Sequence, residues 1–427
     1  MLIINKRVTD TSKMYLVVFY LLLMSGSVVQ HEYMDLLQKI NILVSFLLLL
    51  VYYDGNERFL IIKKNALNIF MQLSGIGLLL MMILWGDLSG ISGYIGRFSL
   101  LLTPYLLVKH VDFTRFKYAF IKTMLGIAIV SIVLFCVPSL LKMLPRIEMG
   151  STGSRGYSFY FIYAKFSNTF IPILQRNIGV FWEPGMYQGF LIFTMLLISF
   201  EKKQKGYLWK QIVFGIALIT TQSTTGLLLL PLVAYVYVVR LIKERVNTKL
   251  VNIISMFVII SIVIALIIPD TYMVLMNLFP SEIMEKLMDT ESTSRNTRFY
   301  NFMIDGSLIL KYPYGIPNNI STLLRSDIRN NLALVTDSAS TNTTMSMALN
   351  YGIISGLMYL YLTVKACFHM VRDKISAAIT LVIVMTVLNT EPHYLCLLFN
   401  VFIFYYSSEQ SKKTMEGGKK SGSTLVS

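Results

Sequence analysis

Residues 178–187 read IGVFWEPGMY and place Glu183 where a hydrophobic run begins. A carboxylate at the mouth of an apolar helix can accept a proton from an attacking hydroxyl. Pro184 is tolerated in a first helical turn, and an acid there favours the positive helix start. Gly185 fits neither purpose, because glycine weakens a helix start. Glu183 therefore reads as a group facing a cavity between helices, with a plain helix cap as the rival. Trp182 adjoins it, and Arg176 lies seven residues before.

Other clusters carry chemistry of their own. Arg295 and Arg298, in STSRNTRFYNFMIDGSLILKYPYGIPNN, are three apart and share a face if helical. Two guanidinium forks on one face match the oxygens of a diphosphate. The competing use is an exposed face, or ion pairs with Asp289 and Glu291. Asp337, Ser338, Thr341 and Asn342 lead into an apolar run, which suits N-capping. Arg97 lies inside the apolar stretch GYIGRFSLLLTPY. A membrane arginine is costly and faces protein or a cavity, unless it snorkels to the interface. Glu391 and His393 share the turn TEPHYL, where a lone histidine is more often incidental. TTQSTTG at 220–226 offers hydroxyls that either line a sugar site or satisfy backbone groups.

The elements that must hold these residues are membrane helices. The 427 residues are 55% hydrophobic and 14% charged, with a mean hydropathy of +0.62. A soluble domain carries about 25% charged residues. Continuous apolar runs of about 17–25 residues fit helices crossing a core of about 30 Å, not the alternating strands of a β-barrel. About twelve helices are predicted, near 13–30, 37–53, 66–85, 90–109, 117–140, 181–200, 207–220, 222–240, 249–268, 342–366, 375–390 and 394–408. The expected fold is an all-α polytopic membrane domain over 1–408. Polar segments 141–177 and 269–340 interrupt it, and a disordered tail spans 409–427. The basic start and Ser25, Gly26 and Ser27 resemble a signal peptide, but the many following spans favour an uncleaved helix.

Net charge is +15, which the distribution of Lys and Arg assigns to a membrane rather than to nucleic acid. Basic residues gather in alternate loops, such as Lys63 and Lys64, Lys109 and Arg115, Lys202 and Lys203, and Arg372 and Lys374. The intervening turns 31–36, 86–90, 220–222 and 389–393 hold no Lys or Arg. This asymmetry puts both termini in the cytoplasm and both long polar segments outside. Cys136, Cys367 and Cys396 all sit in apolar runs, with no disulfide framework and no metal-ligand spacing. No phosphate-binding loop of the Walker type is present, so enzymatic chemistry is expected on the outer face.

In this order and on this side, the clusters resemble the O-antigen and capsule polymerase/ligase superfamily of bacteria. RNIGVFWEPGMYQGFL resembles the element in which an acid, proline and glycine follow a Gly-aromatic pair at an outer helix start. TTQSTTGLLLLPL resembles the helix pair that follows it. SRNTRFYNFMIDGSLILKYPYGIP resembles the element with an arginine, a short helix and a Pro/Gly turn. STNTTMSMALNYGIISGL is similar to an element that begins His-Asn and ends Gly-Ile-Ile-Gly. Here Thr341 stands at the histidine position, followed by Asn342, and Ser355 replaces the last glycine. In the ligases that histidine is associated with catalysis, so its absence favours a Wzy-type polymerase.

The resemblance implies an architecture like that of GT-C glycosyltransferases, in the bacterial cytoplasmic (inner) membrane. It implies a substrate of repeat units on undecaprenyl diphosphate, polymerised on the outer face without metal, cofactor, nucleotide or nucleic acid. A chain-length regulator and a flippase are the implied partners, beside membrane lipid. Arg176, Arg295, Arg298 and Arg97 would neutralise the leaving diphosphate. Glu183 would be the base, with His393 a distant second, and Trp182 and Asn342 would contact the substrate. A lipid-linked glycan flippase and an O-antigen ligase are the alternatives.

Overall fold

The computed structural model describes residues 10–53, 65–87, 90–141, 146–148, 155–158, 164–167, 175–201, 206–243, 293–331, 342–371 and 373–408. Its helices are α1 (Thr11–Leu23), α2 (Val28–Glu32), α3 (Met34–Tyr53), α4 (Ala66–Leu84), α5 (Ile91–His110), α6 (Phe113–Cys136) and α7 (Pro138–Leu141). After a small sheet come α8 (Pro184–Phe200), α9 (Tyr207–Thr220), α10 (Thr224–Lys243), α11 (Thr293–Lys311) and α12 (Asn318–Asn331). The chain continues through α13 (Thr343–Tyr351), α14 (Ile353–Met370), α15 (Lys374–Leu388), a 3-10 turn (His393–Leu395) and α16 (Leu397–Ser407). The predicted helix at 249–268 and the tail lie outside the described residues.

Local sequence sets many of these starts. Asp10, Asn65, Asp112 and Asp373 each accept a hydrogen bond from the first turn of α1, α4, α6 and α15. Such a cap satisfies a backbone donor that the helix itself leaves orphaned. Among the described residues, six helices are long and apolar enough to cross a membrane: α3, α4, α5, α6, α10 and α14. α1, α8, α9, α15 and α16 are apolar but shorter.

Burial separates two kinds of apolar surface. In α4, Leu67, Phe70, Met71, Ser74, Leu78 and Met81 turn inward. Ile76, Leu79, Leu80 and Ile83 form a second apolar stripe that is exposed. Water would penalise that outer stripe, whereas acyl chains accept it. The chain is thus a multi-pass helical membrane protein. α8 and α16 are apolar on every side and buried along almost their whole length, as helices at the centre of a bundle must be. They meet through Phe190 against Phe399, ring centroids 4.8 Å apart, and Phe193 against Phe402 at 4.7 Å.

Three departures from the sequence expectation matter. The segment at 141–177 holds a four-stranded antiparallel meander, β1 (Arg146–Glu148), β2 (Arg155–Ser158), β3 (Ala164–Ser167) and β4 (Gln175–Asn177), in the order β1-β2-β3-β4. The register pairs Arg155 with Ser167 and Lys165 with Asn177. An all-α description therefore holds for the membrane bundle, and this polar segment adds a sheet whose strands are too short to signal themselves by alternation. The single helix expected over 342–366 is two, α13 and α14, divided at Gly352 (φ 87°). The first predicted helix ends at Leu23, and Gly26 (φ 78°) turns the chain into α2.

Candidate functional site

The lysine-free turns gather at one end of the bundle. The α1–α2 elbow is clipped to the stretch before α8: Trp182 N–H donates to Gly26 O (3.1 Å) and Val28 N–H to Val180 O (3.1 Å). Gly26 has a positive φ, which favours glycine; a Cβ there would meet Met186 Cε, the flexible end of a side chain that can move aside. Ser25 Oγ accepts from Leu398 N–H (3.0 Å), which joins the elbow to the start of α16. Asn177 fixes the other flank, donating to Ser131 Oγ (3.0 Å) and Thr220 Oγ1 (2.9 Å) and accepting from Gly179 N–H (2.9 Å).

These contacts frame a cavity of about 390 Å3. Trp182, His31 and Met186 line one part of it, and Arg325, Asn350 and Tyr394 another. The Trp182 and His31 rings stack, with centroids 5.2 Å apart and planes 12° apart. An aromatic wall with a few polar groups is the usual composition of a small-ligand site. On α12, Ile320, Leu324 and Ile328 pack on a small core that includes Ile304, Leu308 and Ile309 of α11. Arg325 falls beside that stripe and is carried inward, 5% exposed. It forms an ion pair with fully buried Asp305 of α11. Burial pushes the Arg325 guanidinium down to about 10, so it remains charged at neutral pH. Its Nη1 has no hydrogen-bond partner.

Glu183 is the N-cap residue of α8, in extended conformation, with Pro184 in the first turn. It makes no side-chain cap bond and is partly exposed. Its neighbour Trp182 lines the cavity, but Glu183 itself does not. Among the phosphate candidates, Arg176 is placed against the end of α9. Its Nε donates to Thr221 O (3.0 Å) and its Nη2 to Gln222 O (3.2 Å), closing the end of α9. The hydroxyls of Thr220 and Thr221 likewise serve backbone and Asn177. Asn342 is a helix cap, accepting from Met345 N–H (3.0 Å) and Thr344 Oγ1 (2.7 Å). Thr341 lies outside the described residues.

Arg97, in α5, lies 5.6 Å from the Tyr94 ring centroid, and its carbonyl accepts from Tyr351 Oη (2.8 Å). It is within electrostatic reach of Tyr394, a lining residue. His393 is corrected to a core residue. It is fully buried against Phe190 and Phe399, and burial pushes it down to about 3. The cavity takes Pro392 and Tyr394 on either side of it but not His393. Arg295 and Arg298 fall in the first turns of α11, on a helix as expected; their side chains lie outside the described ones.

Sequence reasoning missed Arg325, Asp305, Tyr394, Asn350 and His31. One signal was present for Arg325. NNISTLLRSDIRNN is amphipathic, and a charge beside the apolar stripe of a helix announces a buried partner. Among the described residues no group of acids, histidines and cysteines could hold a metal ion. No family model matches the chain, and no curated protein and no solved structure is significantly similar to it.

Proposed function

We propose that the chain polymerises glycan repeat units carried on a polyprenyl diphosphate, working at the cavity end of the bundle. The observation that carries this is the convergence of the family-like stretches on one cavity. Trp182 comes from IGVFWEPGMY, Ser346 and Asn350 from STNTTMSMALNYGIISGL, and both stretches line it. The lysine-free turn TEPHYL contributes Tyr394 to the same wall. In the proposed step the hydroxyl oxygen of the acceptor sugar bonds to the anomeric carbon of the growing chain. The bond from that carbon to the diphosphate oxygen breaks, and the diphosphate leaves with the electron pair. The hydroxyl proton passes to a base, for which Glu183 at the start of α8 is the candidate. A diphosphate is already a good leaving group, so cationic neutralisation serves it better than protonation.

Deletion of the gene with analysis of surface glycan tests this. Loss of long chains with single repeat units retained is the expected result. Loss of every surface unit, with lipid-linked units trapped inside, would instead identify a flippase. Single units and free polymer that never reach a final acceptor would identify a ligase.

A further inference from the structure

The geometry points to an oxyanion subsite inside the cavity, built by the Arg325 guanidinium and the Tyr394 phenol. Arg325 lines the cavity, 5% exposed, and its Nη1 is buried without a hydrogen-bond partner. A buried polar donor without a partner costs free energy, and a ligand oxygen placed there recovers it. Nη2 is already held by Asp305, which fixes the plane of the guanidinium. Asp305 is thus a positioning residue. The Asn350 amide hydrogen-bonds the Tyr394 phenol, and the Tyr394 carbonyl accepts from Asn400 Nδ2 (3.1 Å). Both ends of Tyr394 are therefore anchored. The Arg97 and Arg325 guanidinium groups are both within electrostatic reach of the phenol. Two donors, one charged, held on α12 and the 393–395 turn, suit one oxygen-rich anionic group.

The ligand class is an oxyanion of a lipid-linked glycan: a phosphate of the lipid diphosphate, or the carboxylate of an acidic sugar. This deepens the proposed function, on which it rests for the identity of the carrier. Binding itself is measured without that assumption.

The test uses the purified full chain in nanodiscs of zwitterionic lipid, titrated with inorganic pyrophosphate and, separately, with glucuronate, following thermal stabilisation. Saturable stabilisation is expected. Tyr394→Phe removes one donor without disturbing the ion pair, and Arg325→Gln with Asp305→Asn removes both charges together. Each should weaken binding about tenfold or more. Ser321→Trp, which fills the cavity from α12, should abolish binding, and Arg115→Gln on an exposed site at the start of α6 should leave it unchanged. Preference for pyrophosphate assigns the subsite to the lipid phosphate; preference for glucuronate assigns it to an acidic sugar. Absence of saturable binding by both, or equal binding in the wild type and Tyr394→Phe, overturns the subsite. If deletion leaves glycan length unchanged while pyrophosphate still binds, the polymerase proposal fails and the subsite stands.

Discussion

Glu183 and Arg176 sit close together in sequence, yet their surroundings divide them. Arg176 spends two donors on the carbonyls that end α9, and hydrogen bonds from a charged donor stabilise by about 1.5–3 kcal/mol. Arg176→Ala should lower stability by about 2 kcal/mol, seen as a lower melting temperature, with chain growth falling only as far as protein abundance falls. Glu183 is the candidate base, and glutamine keeps its size while removing the carboxylate, so Glu183→Gln should leave abundance normal while chain growth stops. Arg298→Ala is expected to behave in the same way. Wild-type chain lengths in both variants would falsify this assignment of the base and the cation. His393 gives a pH signature. Its folded value of about 3 lies below its ordinary 6.5. Between those values the unfolded chain binds a proton that the folded chain does not. Its contribution is therefore complete above about pH 6.5 and is lost as the pH falls toward 3. At pH 5 the loss is about 2 kcal/mol. His393→Phe should flatten this part of the stability–pH curve; an unchanged slope between pH 5 and 7 would show that His393 is not the group responsible.

At the scale of elements, the break at Gly352 shapes the cavity wall. It docks the YPYGIP turn: Ile316 N–H donates to Leu349 O (2.8 Å) and Ile353 N–H to Pro313 O (2.9 Å). Gly315 (φ 98°) faces Leu349 O, and a Cβ on it would lie 2.9 Å from that oxygen. A Cβ on Gly352 would come no closer than 3.4 Å to any neighbour, so there only the backbone strain opposes alanine. Gly352, at φ 87° and ψ 156°, sits in a region that essentially only glycine adopts, so Gly352→Ala should cost about 1–3 kcal/mol, and Gly315→Ala more, because strain and contact add. Thermal unfolding of the two variants ranks them, and a milder Gly315 substitution would contradict the docking described. Most helices here were legible because a membrane span needs a long apolar run, which composition alone reveals. The helix over 342–366 hid its break because apolar residues continue through Tyr351, Gly352 and Ile353, so hydropathy does not change where the dihedral does. Arg325 was hidden for a different reason. Segment 269–340 is polar on average, and its amphipathic helix appears only when residues 318–331 are placed on a wheel. The partner Asp305 lies twenty residues earlier on another helix, a pairing that no local pattern encodes.

At the scale of the molecule, α8 measures the distance between two chemically distinct ends. Its 17 residues span about 25 Å at 1.5 Å per residue, close to the thickness of a hydrocarbon core. Trp182 and the cavity stand at its start. At its other end, Ser199 O accepts from Arg240, and just past it Glu201 pairs with Lys117. The end rich in Lys and Arg is the one expected to face the cytoplasm, which would leave the cavity open to the outside, the side that the proposed lipid-linked donor requires. That sidedness can be measured one residue at a time. Cys136 is exposed and is first replaced by Ala, whereas Cys367 and Cys396 are buried. Thr322, on the cavity lining, and Lys374, at the start of α15, are both exposed. Thr322→Cys should react with a membrane-impermeant maleimide in intact cells, and Lys374→Cys only after permeabilisation. The reverse pattern would turn the molecule over, put the cavity in a compartment supplied with nucleotide sugars, and remove the reason for assigning it a lipid-diphosphate donor.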